Sequence, residues 1–274
     1  DVYKRQVLYI VDLWPEYGGT VKTITKTKII SIMYQNQQTP PPYYGGAGAV
    51  TRQTNAVMKR VYVRMFVGLL ITAFVALGVA SSPAALMFIF GNKIVFWGML
   101  IAMLAMAFLI PARLHKMASG TVMALFFVYA ALMGAWMSSI FMAYRISSIV
   151  YTFFITAGTF GAMSVYGYFT KTDLTRIGSY LIMALFGLMI AIIVNIFVGS
   201  STLGWIISVV GVLLFVGLTA WDTQQVKQMA AMNLNPQLAD KLATMGAMNL
   251  YLDFINLFLF ILLSLIHISE PTRP

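Results

Sequence analysis

Aspartates inside apolar stretches are the residues of this sequence best suited to chemistry. Between residues 33 and 262 the acidic residues are Asp173, Asp222, Asp240 and Asp253. Asp173 and Asp240 lie among basic residues in predicted loops, which indicates solvated charges. Asp253 lies deep in an apolar run, where an ionised carboxylate costs at least about 2.5 kcal/mol. Asp222 lies at the end of another run, so its position alone also fits an interfacial helix-end acid.

Two carboxylates that meet in a membrane titrate as a coupled pair, because both cannot ionise cheaply. Such a pair suits a pH sensor, and its oxygens suit transient Ca²⁺ rather than a softer metal. Asn249 and Asn256 lie four residues before and three after Asp253, so they extend one polar stripe of a helix and are candidates to line a pathway. Asn195, in another apolar run, either lines the pathway or makes an interhelical hydrogen bond.

The composition indicates which elements must position these side chains. The chain has 274 residues, of which 60% are hydrophobic and 9% charged, whereas soluble domains carry roughly 25% charged residues. Lipid therefore replaces water as the solvent, and an all-α polytopic membrane protein is predicted. The absence of cysteine excludes disulfides, thiolate metal sites and cysteine nucleophiles.

A bundle of seven membrane-spanning helices is predicted, because seven apolar runs are long enough to cross a bilayer. The runs cover residues 61–80, 94–110, 120–144, 149–169, 174–198, 203–221 and 245–262.

Basic residues predict the orientation of this bundle. The net charge of +10 would suggest nucleic acid in a soluble protein, but here the basic residues lie in the short gaps between apolar runs, so no nucleic-acid partner is expected. One set of gaps carries ten of them: Arg52, Lys59, Arg60, Arg64, Arg113, Lys116, Lys171, Arg176, Lys227 and Lys241. The alternate gaps carry Lys93 and Arg145 only. The N-terminus is therefore predicted to face the cytoplasm.

Both ends of the chain resemble translated sequencing-adapter DNA. We expect residues 1–32 to be such sequence with upstream read-through, and residues 263–274 to be the matching adapter. Residues 33–58, rich in proline and glycine, are predicted to be a disordered cytoplasmic head. The seven-helix domain is then expected at residues 59–262.

Three segments of the chain resemble the bacterial branch of the Bax inhibitor-1 family. The most specific is residues 250–258 (LYLDFINLF), which is similar to the last-helix motif of that family. Residues 217–224 (GLTAWDTQ) and 158–162 (GTFGA) are similar to its sixth- and fourth-helix segments. The likeness extends over about residues 54–262.

The resemblance implies a seven-helix bundle with closed and open states, in the bacterial inner membrane. Family members are described as pH-sensitive Ca²⁺ leak channels in which two carboxylates share a proton and gate the pore. Asp222 and Asp253 match those positions. An arginine near the second and third helices latches the family's pair, and Arg113 is the candidate here, although an ordinary topology-setting charge is an equal alternative. Calcium is the expected permeant ion, and no cofactor is implied.

Two other classes of function are also considered. Paired intramembrane aspartates occur in aspartyl proteases, which share one proton and activate water. Those enzymes carry Gly-x-Gly-Asp before the second acid, whereas Leu250, Tyr251 and Leu252 precede Asp253 here, so no enzymatic activity is predicted. The second alternative is a regulator or adaptor that binds membrane proteases or other membrane proteins, as some bacterial relatives are described.

Overall fold

The computed structural model describes residues 47–232 and 235–269, and every regular element in those two ranges is helical. The helices of the described part are α1 Ala47–Ala80, α2 Pro83–Gly91, α3 Lys93–Arg113, α4 Ser119–Met137, α5 Ile140–Ala143, α6 Ile146–Phe169, α7 Thr175–Val198, α8 Ser201–Ala231 and α9 Pro236–Ser269.

Seven of these elements are long and apolar enough to cross a membrane within the described ranges: α1, α3, α4 with α5, α6, α7, α8 and α9. The predicted all-α, seven-span fold is confirmed. The predicted third run is divided into α4 and the single turn α5. The first gap contains the apolar helix α2, which begins with Pro83 and is capped by the hydroxyl of Ser82.

Helices α8 and α9 extend well beyond the predicted boundaries. α8 continues ten residues past residue 221, to Ala231, and α9 begins at Pro236 rather than 245. The side-chain oxygen of Asn235 accepts a hydrogen bond from the backbone N–H of Leu238 at 2.7 Å and so caps α9. Hydropathy detects the part of a helix that is in lipid, and these extensions are polar, which is why the sequence boundaries were too short.

The predicted ends of the chain are only partly described. Residues 1–32 and the first part of the predicted head lie outside the described residues, but α1 begins at Ala47, so residues 47–58 are helical rather than a disordered head. At the other end α9 continues to Ser269, through most of the segment predicted to be adapter sequence, and residues 270–274 lie outside the described ranges.

Helix α9 is the central element of the bundle. It packs against α8, α1, α6 and α4, whereas α7 packs mainly against α8. Leu250, Tyr251 and Leu257 of α9 are completely buried. The hydroxyl of Tyr251 lies 2.7 Å from that of Thr72 on α1, which ties the two helices together by a buried polar contact.

Small residues allow the closest helix contacts. Gly134 of α4 packs directly on the backbone of Thr72, because a β-carbon there would lie 2.5 Å from the Thr72 carbonyl oxygen. Gly167 of α6 packs in the same way on the backbone of Ala220 of α8. Backbone-to-backbone packing of this kind is typical of helices that associate in lipid. It places α6 firmly beside the stretch of α8 that carries Asp222.

Candidate functional site

Asp222 and Asp253 are in contact inside the bundle. Asp222 lies on α8, Asp253 lies on α9, and their carboxyl groups lie close enough for one to donate a hydrogen bond to the other when it is protonated. The two residues are only 8% and 5% exposed. A hydrogen bond between two carboxyl groups requires a proton on one of them. The second oxygen of Asp253, Oδ2, is buried and has no hydrogen-bond partner among the described residues.

Burial of Asp222 follows from the true length of α8. Because the helix continues to Ala231, Asp222 lies nine residues inside it rather than at its end. α8 and α9 form the most extensive helix pair of the described bundle. Asp222 is therefore not at the end of its helix, and its side chain is buried next to α9 rather than solvated.

The acid pair lines a cavity of about 490 Å³ between α7, α8 and α9. Its polar lining consists of the two aspartates and three amides, Gln225, Asn249 and Asn256. The remaining walls are mainly aliphatic and aromatic. The polar stripe inferred from the spacing of Asn249, Asp253 and Asn256 thus faces one cavity, together with Gln225, whose contribution the sequence did not reveal.

Asn195 lies outside this cavity. Its side chain packs by the first turn of α8, where its amide nitrogen is 3.3 Å from the position of a β-carbon on Gly204. Asp222 lies 18 residues further along α8, or about 27 Å away along the helix. The Asn195 side-chain oxygen is buried without a hydrogen-bond partner in the described part of the chain. A pathway-lining role at the acid pair is therefore not supported for Asn195.

Arg113 does not contact the acid pair. Its side chain is exposed at the end of α3 and forms no ion pair with any described acidic residue. α3 packs mainly on α2 and α4, so it lies at the periphery of the bundle. Arg113 therefore makes no contact with Asp222 or Asp253 that would support the predicted latch. The helix that carries it packs on α2 and α4 rather than on α8 and α9.

A different arginine is paired with an acid. The guanidinium of Arg64 on α1 forms an ion pair with the carboxylate of Asp240 on α9, and its Nη1 donates to the Asp240 carbonyl oxygen and the Thr244 hydroxyl, both at 2.7 Å. Arg60 lies 3.6 Å from the same carboxylate. Asp240 is therefore not a solvated loop charge as predicted. The sequence did contain a signal for this contact. Arg60 and Arg64 are four residues apart, as are Asp240 and Thr244, so each pair lies on one face of its helix.

The connection between α6 and α7 is fixed to α8 beside the acid pair. The side-chain oxygen of Gln224 accepts from the Leu174 backbone N–H at 2.8 Å, and its amide nitrogen donates to the Thr172 carbonyl oxygen at 2.8 Å. Asp173, within this connection, is exposed, as predicted. Hydrogen bonds from the hydroxyl and backbone N–H of Thr175 lower its pKa.

The chemistry available to the cavity is proton binding and cation coordination. Two contacting carboxyl groups hold zero, one or two protons and change their net charge accordingly. Carboxylate and amide oxygens are the ligands that Ca²⁺ prefers, although a resident site normally supplies six to eight of them. Within the described residues no group of three or more His, Cys, Asp or Glu side chains could hold a metal. The cavity therefore offers oxygen ligands of the kind that suit a hard cation, from two carboxyl groups and three amides.

Fold and site together define a class: a multi-pass helical membrane protein with a buried acid pair in a partly polar cavity between its last three helices. Residues 54–270 match the family model described as "Inhibitor of apoptosis-promoting Bax1". The chain belongs to this family, the Bax inhibitor-1 family, which confirms the resemblance inferred from the sequence.

Bacterial relatives match over most of their lengths. The "Inner membrane protein YbhL" of Escherichia coli (strain K12) is 46% identical over 207 residues, which cover 75% of this chain and 88% of that protein. An uncharacterized protein of Borreliella burgdorferi is 46% identical over 209 residues, or 76% of this chain and 90% of the relative. An uncharacterized membrane protein of Streptococcus pyogenes is 35% identical over 171 residues, or 62% and 74% of the two chains.

Proposed function

We propose that the protein is a pH-sensitive leak channel for calcium or other cations, gated by Asp222 and Asp253. One observation carries the proposal. Two carboxyl groups in mutual contact line a cavity that lies within the membrane-spanning helices and also contains three amides. Carboxyl groups are costly at such a position unless they have a function or a partner, and among the described residues neither acid has an ion pair with a basic side chain.

The gating role follows from the charge of the pair. With one shared proton the pair carries one negative charge, and the hydrogen bond joins α8 to α9. Loss of that proton would place two negative charges side by side, and two unit charges about 4 Å apart repel by about 4 kcal/mol at an effective dielectric constant of about 20. Gain of a second proton would remove the charge that attracts a cation. Either change alters the cavity, so the ion flux should depend on pH.

The proposed location is the bacterial inner membrane. A relative that is 46% identical carries that location in its name. We propose that the end of the bundle bearing Arg64, Arg113 and Lys171 faces the cytoplasm, because cytoplasmic ends are enriched in lysine and arginine. In this orientation α1 enters the membrane from the cytoplasm.

The test is Ca²⁺ flux into liposomes that contain the purified full chain, measured from acidic to weakly alkaline pH. Asp222→Asn and Asp253→Asn each replace one acid by an amide, which can still donate to the remaining carboxylate but cannot ionise. Each variant keeps a single ionisable carboxyl group, so in both the pH-dependent step of the wild-type flux should shift or lose amplitude. Asp173→Asn is the matched control, since it removes an exposed acid from the α6–α7 connection, and it should keep the wild-type profile.

The outcomes separate the candidate functions. Identical pH profiles in the wild type and the three variants would exclude gating by the acid pair. Flux no greater than that of empty liposomes, with membrane proteases co-purifying from detergent extracts, would favour the regulator or adaptor. Cleavage of a membrane substrate that disappears in Asp253→Asn would favour the remote alternative, an intramembrane aspartyl protease.

A further inference from the structure

A second cavity, of about 510 Å³, lies on another side of α9 from the acid pair. α1 and α6 each pack against α9 and leave a groove between them. Phe254, Ile255 and Phe258 of α9 form its floor, and α4 and α5 close one end. The lining is apolar apart from Thr72, whose hydroxyl is already engaged by hydrogen bonds within the bundle. Nothing in the proposed channel function uses this groove.

The dimensions of the groove fit an extended chain rather than a compact molecule. On α1 it extends from Leu69 to Leu77, and on α6 from Ile146 to Phe154. Each distance is eight residues, or about 12 Å at the helical rise. Both walls belong to membrane-spanning helices, so the groove runs along the helices at the depth of the hydrocarbon. Leu77 and Phe154 at its rim are exposed and would face lipid.

A positive charge lies at the mouth of the groove. Arg145 immediately precedes Ile146, which lines the mouth, and its side chain is exposed and in no ion pair with a described acid. Arg145 is also the N-cap of α6, and no side chain caps that helix end. The free backbone N–H groups of the first turn and the guanidinium together favour an anion at this position.

A second copy of the chain would be a poor occupant of this mouth. α6 is 24 residues long, so Asp173, beyond its far end, is about 36 Å away. Asp240 is at that far end too, in the first turns of α9, and the remaining described acids are buried in the other cavity. Two copies with the same orientation in one membrane would therefore bring no described acid to Arg145.

We propose that the groove binds one acyl chain of an anionic phospholipid, with the lipid phosphate at Arg145 and the first turn of α6. The apolar walls accept the chain, because lipid tails and aliphatic side chains are equally apolar. Arg145 and the helix end select the headgroup. The site lies at the end of the bundle opposite to the Arg64–Asp240 ion pair, and it is independent of the proposed channel function.

The test uses the full chain purified in mild detergent and titrated with phosphatidylglycerol or phosphatidylcholine of identical acyl chains, with bound lipid counted by native mass spectrometry. One phosphatidylglycerol should bind more tightly than phosphatidylcholine. Ala73→Trp fills the groove from an exposed position on α1 and should abolish binding of both lipids. Ala184→Trp, at an exposed position of α7 outside the groove, should leave binding unchanged.

Headgroup selection is tested separately. Arg145→Gln should weaken phosphatidylglycerol binding about fivefold, the effect of one basic residue near an anionic lipid surface, and weaken phosphatidylcholine binding less, because the choline cation offsets the charge of its phosphate. Lys93→Gln removes an exposed charge at the same end of the bundle and is the control. Val150→Gln adds an amide to the groove without much bulk and should weaken binding of both lipids. It tests the groove independently if Ala73→Trp does not fold.

Two results would overturn the proposal. The first is unchanged lipid binding in both Ala73→Trp and Val150→Gln. The second is a change of oligomeric state in Ala73→Trp with bound lipid unaltered, which would make the groove an interface between copies of the chain.

Discussion

Replacing Gly167 by alanine should destabilise the packing of α6 on α8 beside the acid pair. A β-carbon on Gly167 would lie 2.9 Å from the Cα of Ala220, and the Ala220 carbonyl oxygen is closer still. Ordinary contact begins at 3.4 Å, so the two helices must separate by at least 0.5 Å, the difference between 3.4 and 2.9. The obstacle is backbone, which cannot rotate away as a side chain can. Overpacking of this kind costs about 1–3 kcal/mol.

The same helix offers a matched control. A β-carbon on Gly158 or Gly161 of α6 would meet no other residue within 4 Å. Alanine at either position should therefore be neutral, or stabilising by up to about 0.8–1 kcal/mol through helix propensity. The Gly167→Ala and Gly158→Ala proteins should then differ by about 1–4 kcal/mol in their free energy of unfolding.

The assay is reversible unfolding of the purified variants in mixed micelles, followed by circular dichroism at increasing fractions of denaturing detergent. Gly167→Ala should unfold at a lower fraction than the wild type and Gly158→Ala at the same or a higher one. Equal transitions for the two variants would show that α6 and α8 are not in backbone contact at Gly167, and the reasoning about the position of α8 would fail with it.

Two further predictions concern contacts that the sequence did not reveal. Arg64→Gln breaks the partly exposed ion pair between α1 and α9 and should lower the free energy of unfolding by about 1 kcal/mol in the same assay, whereas Arg113→Gln, at a residue without an ion pair to a described acid, should have no effect. Gln224→Ala releases the α6–α7 connection from α8 and should speed tryptic cleavage at Lys171, while Gln228→Ala, an exposed glutamine of the same helix, should leave the cleavage rate unchanged.

The spans were predictable because lipid imposes a simple rule. A helix in hydrocarbon must be apolar over about 20 residues, and each predicted run indeed lies in a spanning element. The same rule does not predict where a helix ends once its residues have left the hydrocarbon. The polar residues after Asp222 continue α8 to Ala231, and the residues from Pro236 extend α9 before its apolar part. Both extensions changed the interpretation of an acid, since they placed Asp222 inside one helix and Asp240 inside another.

Side-chain partners were less predictable than spans. Asp253 was identifiable from the cost of desolvating its carboxylate alone. Its contact with Asp222 was inferred from the family motif and from the prediction that both acids lie at the same end of the bundle. Arg113 was selected because the latch arginine of the family lies near the second and third helices, and that resemblance did not indicate the pairing of Arg64 with Asp240. Which helices are neighbours depends on backbone approaches such as that of Gly167, and hydrophobicity does not specify these, because a lipid-facing and a helix-facing side chain are equally apolar.

The central helix explains how one short motif can serve two sites. In residues 250–258, Asp253 and Asn256 line the cavity of the acid pair, whereas Phe254, Ile255 and Phe258 form the floor of the apolar groove. The two sites are chemically separate. Ala73 touches the groove alone, and an Asn at residue 222 or 253 alters the acid pair alone, so each proposal can fail without the other.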